Sequence, residues 1–146
     1  MIARTSHRVR IGIIIIRLLP MYMIIGLLKR LVPLQSLARW AWRSPAGPRD
    51  CEAERCLVSS VLRLSHLLGS SERDCVQRSV LLYRLLSRAG ADPVLILGFQ
   101  RENGQLLGHA WVIVDNQPVI ESQAELVRFT PAFQFGWRGM LLPMQP

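Results

Sequence analysis

Acidic residues are scarce in this chain: 10 Asp and Glu stand against 18 Lys and Arg in 146 residues, a formal charge of +8. Such a balance suits an acidic partner, whether a membrane surface, a nucleic acid or an acidic peptide. Charge of either sign is sparse, at 19% of residues, while half the residues are apolar. That combination excludes a globally disordered chain and provides for a single domain with a real core. There is no zinc-finger spacing, no RNA-recognition aromatic pair and no glycine-rich phosphate loop. Positive charge without a reading module is usually a solvated surface, so nucleic acid is not an expected partner. Cysteine is limited to Cys51, Cys56 and Cys75, with no CxxC pair, and His7, His66 and His109 do not cluster with them. A structural zinc site is therefore not expected, nor is any cofactor. An odd cysteine count, with no small-residue cleavage site after the N-terminal apolar run, points to free thiols in the cytoplasm. Internal repeats are absent.

The segment present first is basic (Arg4, Arg8, Arg10) and then apolar from Ile11 to Leu28. About 20 apolar residues span a bilayer, but Arg17 lies inside the run and Pro20 interrupts it. The expectation is two short helices broken at Pro20, the second ending at Lys29 and Arg30. They would pack on the domain or a partner. Peripheral contact with the inner face of a membrane and a spanning helix stay open as alternatives. Leu34 to Trp42 predicts a further helix. Ser44-Pro45-Ala46-Gly47-Pro48 is the clearest linker signal, dividing an N-terminal helical segment, 1–43, from a domain at 50–146.

Within that domain Cys56, Leu57, Val61, Leu64, Leu67 and Leu68 fall at helical spacing before Gly69. Cys56 is expected to be buried, and His66 to be structural or solvated. Asp74 or Ser71 caps a second helix from Cys75 to about Ala89, which Gly90 stops. Strands are expected at Val94–Phe99, after a lengthened Gly-containing loop at His109–Val114, and at Val119–Glu121. The order helix, strand, strand, strand is an α+β pattern with an antiparallel sheet. From Phe129 onward no periodicity appears beyond partial packing against the sheet.

The chemistry concentrates at Cys75 and His109. A cysteine attacks as its thiolate, and the first turn of a helix favours an anion through its unpaired N–H groups and dipole. Those amides also suit an oxyanion hole, and Arg78, one turn on, adds positive charge or an ion-pair partner. His109 begins a strand beside Gly108, with Trp111 on the same face as a wall. Its imidazole fits the base that takes the thiol proton and later protonates the leaving amine. A carboxylate should orient the imidazole. Asp115 lies some six residues along the strand, too far at about 3.3 Å per residue. Glu121 returns on the neighbouring strand and is preferred, with Asp115 as the fallback.

Cys75-Val76-Gln77-Arg78-Ser79, Leu85-Leu86-Ser87-Arg88-Ala89-Gly90, Val94-Leu95-Ile96-Leu97-Gly98 and Gly108-His109-Ala110-Trp111-Val112 together resemble the transglutaminase-like (papain-like) fold. More narrowly they resemble the leader peptidases of lasso peptide biosynthesis, over about residues 50 to 125. The resemblance implies a cysteine endopeptidase of the stand-alone form that cuts a ribosomally made precursor peptide at its leader–core junction. Cys75 would be the nucleophile and His109 the base. The family's third residue is usually Asp on the strand after the histidine; the matching position here holds Glu121. The implied partners are the precursor peptide, a small leader-binding recognition protein and an ATP-dependent macrolactam cyclase. Two other readings fit the residues: a non-catalytic peptide-binding module of the same fold, and a membrane-associated scaffold built on residues 11–28.

Overall fold

Ten elements follow one another in a computed structural model that describes residues 2–69 and 74–143, with side chains from Gly12 onward. Four helices come first: α1 (Ile2–Leu31), α2 (Leu34–Ala41), α3 (Cys51–Leu67) and α4 (Cys75–Arg88). Then come β1 (Val94–Glu102), β2 (Gln105–Val114), β3 (Gln117–Pro118), the short α5 (Gln123–Leu126) and β4 (Thr130–Phe135). A 3₁₀ turn, Trp137–Gly139, ends the sequence of elements. The sheet is antiparallel throughout, in the order β3-β2-β1-β4. The fold is thus the α+β arrangement read from the sequence, with its N-terminal helical segment in place.

α1 corrects one expectation. It is a single helix that runs through Pro20 rather than two helices broken there. Proline removes one helical hydrogen bond and crowds the preceding turn. Pro20, however, faces outward, while Leu18, Tyr22 and Ile25 on both sides of it are buried in one core with Val61, Leu64, Val80 and Leu81. Packing on both sides of the proline holds the axis. Gly26 deepens the contact with α4: a Cβ there would lie 2.7 Å from Gln77 Nε2. Its absence lets the Gln77 amide donate to the Tyr22 carbonyl at 2.7 Å. Lys29 adds an ion pair to Asp74 at 3.1 Å, so α1 is fastened to the start of α4.

α3 is capped by Asp50, whose carboxylate accepts from the amides of Glu52 and Ala53. Its inward stripe is shorter than expected: Val61 and Leu64 are buried, but Leu67 and Leu68 are exposed and Cys56 is only half-buried. His66 is solvated. At α4 the N-cap position is Asp74, whose side chain goes to Lys29 instead of capping; Ser71, the other expected cap, lies outside the described residues. Tyr83 is fully buried, donates to the Gly136 carbonyl and accepts from the Gly139 amide at 3.0 Å. In this way the tail, which shows no periodicity, is tied to the central helix.

The strands differ in extent from the sequence expectations. Asn103 and Gly104, both with positive φ, form a two-residue turn, the tight hairpin geometry such a pair favours. β2 therefore begins at Gln105, not at His109, and no lengthened loop precedes it. Asp115 and Asn116, also at positive φ, turn the chain again. β3 then pairs only with Ile113 and Val114. The strand expected at Val119–Glu121 is absent; Val119 adds one amide bond to the Val112 carbonyl at 3.0 Å and the chain bends away.

Candidate active site

β3 is so short that, on the side away from β1, β2 has no strand beside His109 and Ala110. α4 fills that gap. Ala110 directs its backbone groups outward: its carbonyl accepts from Ser79 Oγ at 2.9 Å, and its amide hydrogen-bonds the Cys75 sulfur. An unpaired strand edge needs partners for its N–H and C=O groups, and here the first turns of α4 supply them. The same contacts fix where the thiol sits.

Alternation along β2 sets the rest. Val112, with Leu95 and Phe135, faces the helices, whereas Trp111 packs with Ile96 and Leu126 on the α5 side. His109 shares the parity of Trp111, so the thiol meets the imidazole around the open edge of β2. The imidazole stacks on the Phe129 ring at 5.0 Å between centroids and on Trp111 at 6.0 Å. Gly98, opposite His109 in the register, makes room for this cluster. A Cβ at Gly98 would lie 2.7 Å from the Trp111 ring and 2.9 Å from the Thr130 carbonyl.

Glu121 closes the group. It sits in the bend after β3, immediately before Ser122, which caps α5 in a reciprocal capping box with Glu125. Its Oε1 lies 3.3 Å from His109 Nε2 and accepts from Arg78 Nη2 at 2.9 Å. With Nε2 engaged by the carboxylate, Nδ1 is the ring nitrogen left for Cys75. Cys75, His109 and Glu121 thus lie together, His109 within 3.3 Å of the Glu121 carboxylate and coupled electrostatically to the Cys75 thiol. Asp115 is not among them: it is exposed in its turn and paired with Arg49 at 2.9 Å.

Each ionisable group responds to its neighbours. Burial pushes the Cys75 thiol up, and this is the largest single influence. The His109 hydrogen bond, the Ala110 amide, the imidazole charge and the Val76 amide together outweigh it and hold the thiol below its ordinary value. His109 is raised to about 9, first by its hydrogen bond to Cys75 and then by Glu121. Burial likewise pushes Glu121 up, but the bonds and charges of His109 and Arg78 keep its carboxyl below the usual carboxylate range. All three shifts favour a thiolate beside an imidazolium, held by a carboxylate. Because Val76 belongs to the first turn of α4, its amide is one of the helix's unpaired donors.

Several contributing residues were not legible as such. Phe129 lies in the tail that shows no pattern and Ser79 reads as an ordinary helical polar residue; Arg78 reads as a nearby positive charge or ion-pair partner, but the sequence does not identify Glu121 as the group it pairs with. The aromatic at 129 just after a capped short helix is the one signal in the sequence for the first of these. A separate cavity of about 450 Å³, lined by Arg49, Cys51, Glu54, Arg55, Val58 and Val114 among others, includes none of the three residues. Among the described residues no group of three or more His, Cys, Asp or Glu could hold a metal ion.

A family model described as the transglutaminase-like superfamily matches residues 16–134. The matched span starts inside α1 and includes Cys75, His109 and Glu121. No curated protein and no solved structure matches the chain.

Proposed function

Because the chain belongs to the transglutaminase-like superfamily, we propose that it is a cysteine endopeptidase that removes the leader from a ribosomally made lasso peptide precursor. The observation that carries the catalytic part is the juxtaposition of His109, paired with Glu121 at 3.3 Å, and the Cys75 thiol at the N-terminus of α4. Leader removal rests on the resemblance of the Cys75–Ser79 and Gly108–Val112 elements to the leader peptidases. The partners that resemblance implies are a leader-binding recognition protein and an ATP-dependent macrolactam cyclase, in the cytoplasm.

In this mechanism the Cys75 thiolate attacks the carbonyl carbon of the last leader residue. The developing oxyanion is met by amides at the start of α4, where backbone donors need no reorganisation. His109, protonated, gives its proton to the departing amine of the core peptide as the C–N bond breaks. The leader is then a thioester on Cys75. Neutral His109 takes a proton from water, hydroxide adds to the thioester, and Cys75 leaves again as a thiolate. Glu121 stabilises the imidazolium and holds the ring's orientation, and Arg78 keeps Glu121 ionised. Trp111 and Phe129 fix the plane of the imidazole.

The test is incubation of the protein with a precursor peptide and its leader-binding protein, read by mass spectrometry. Release of leader and core by the wild type, and by neither Cys75→Ala nor His109→Ala, is the expected result. A peptide that binds and is never cut supports the non-catalytic binding module instead. Cleavage by a folded Cys75→Ala protein removes the reading.

A further inference from the structure

α1 has two apolar faces, and the rest of the fold uses one. Leu18, Tyr22 and Ile25 are in the core, whereas Ile13, Ile16, Met23, Ile24, Leu27 and Leu31 point away from it. Ile16 is 72% exposed, Leu27 60% and Leu31 69%. At 100° per residue these six and Pro20 lie on one stripe, about 27 Å long at 1.5 Å per residue. No described element packs on it. Exposed singly such residues are ordinary, but a contiguous stripe of this length marks an interaction surface.

Charge indicates what the surface meets. Arg17 falls on one border of the stripe and Arg30 on the other, both exposed. α1 carries six Lys or Arg in its sequence (Arg4, Arg8, Arg10, Arg17, Lys29 and Arg30) and no Asp or Glu. A second copy laid on the stripe would set cation against cation. An anionic surface would satisfy both the apolar centre and the basic rims. Gly12–Leu31 is also long and apolar enough to cross a bilayer. Crossing would, however, strip Leu18, Tyr22 and Ile25 from the core and break the Gln77 bond to the Tyr22 carbonyl. The geometry fits a helix lying in the interface, its apolar stripe among the acyl chains and its arginines reaching the phosphates.

We infer that the outer face of α1 is a docking surface for an anionic lipid bilayer, which seats the protein with α1 parallel to the membrane plane. The surface is independent of the chemistry at Cys75. It lies near the site, since Lys29 pairs with Asp74, the residue before Cys75.

Co-sedimentation of the 146-residue chain with vesicles tests this. One set contains phosphatidylcholine with phosphatidylglycerol, the other phosphatidylcholine alone. The expected result is binding to the anionic vesicles that high salt weakens, with little binding to the neutral ones. Charge reversal in Arg17→Glu/Arg30→Glu should lower the binding constant by more than about tenfold, since each basic residue near such a surface contributes appreciably. Ile16→Ser/Leu27→Ser should lower it as well. Both variants are on the outer face and should keep the wild-type circular dichroism and Cys75 alkylation rate. Absence of binding to anionic vesicles, or unchanged binding by folded variants, overturns the inference. So does a stable dimer, or a complex with the leader-binding protein, that the Ile16→Ser/Leu27→Ser change disrupts while vesicle binding is unaffected.

Discussion

Arg78 Nη2 and His109 Nε2 converge on one oxygen of Glu121, at 2.9 Å and 3.3 Å. The carboxylate therefore sits between a permanent cation and a titrating one. Arg78 holds it ionised, and the ionised form is the one that stabilises an imidazolium. The Arg78, Glu121 and His109 side chains are all half-buried, and the Arg78 Nε is buried without a hydrogen-bond partner among the described residues. The pairing is thus more than a surface ion pair, which would contribute little.

Removing the guanidinium should weaken that arrangement without removing any reacting group. Arg78→Ala is expected to let the Glu121 pKa rise, lower that of His109, and reduce kcat/KM by roughly 10- to 100-fold, at or below the low end of what a general acid–base group itself contributes. The His109 titration, followed by NMR, distinguishes this from simple destabilisation. An unchanged His109 titration together with unchanged turnover would remove the positioning role.

Glu121→Gln keeps the shape and discards the charge. Turnover should fall by about 100-fold or more, as expected when the group orienting a catalytic imidazole is neutralised. Stability carries a separate signature. Glu121 has its carboxyl held below the ordinary value, so its stabilising contribution is present above its unfolded pKa and is lost as pH falls through the lower folded one. Urea denaturation at a series of acidic pH values should show a shallower loss for Glu121→Gln than for the wild type.

The thiolate–imidazolium pair predicts a bell-shaped dependence of kcat/KM on pH. The acid limb reports Cys75, held below its ordinary value, and the alkaline limb should lie near the His109 value of about 9. Below that limb the imidazolium is present to protonate the leaving amine; above it the proton is gone. In His109→Ala, alkylation of Cys75 should become slow near neutrality and rise only as pH approaches the range of an unassisted thiol. A variant whose alkylation profile matches the wild type would show that His109 does not set the thiol's ionisation.

Two packing changes should separate the site from the scaffold. Gly98→Ala places a methyl 2.7 Å from the Trp111 ring and 2.9 Å from a backbone oxygen. Overpacking of this kind costs about 1–3 kcal/mol, and displacement of Trp111 should lower turnover as well. Tyr83→Phe removes the bridge to Gly136 and Gly139. It should cost about 1–3 kcal/mol, the penalty of leaving buried polar groups unpaired, while Cys75 alkylation stays at the wild-type rate. Denaturant unfolding and the alkylation rate together check both.

The sequence displayed some of this directly. Cys75 at the head of a helix follows from Gly69 and Gly90 as stops around a 3.6-residue apolar pattern, and the helix is there. Glu121 rather than Asp115 as the neighbour of His109 followed from chain reversal alone. The route differs: a two-residue strand and a bend bring Glu121 back, not a full hairpin. Pro20 misled because helix-breaking is a local tendency, and here burial on both sides of the proline prevailed. β4 was invisible because Thr130-Pro131-Ala132-Phe133 carries a proline at its second position and lacks alternation. Its strand character comes from pairing with β1, with a register shift at Leu97 and Gly98. Phe129 could not be placed beside His109 without that pairing.

On the proposed function, Cys75 carries the leader as a thioester. Intact-mass spectrometry of the protein, quenched at short times after mixing with a precursor peptide and its leader-binding protein, measures this directly. A species heavier by the leader's acyl mass, mapped to Cys75 by digestion and absent from Cys75→Ala, is the predicted result. Leader and core released by a folded Cys75→Ala protein, with no adduct on Cys75 in the wild type at any time, would contradict it.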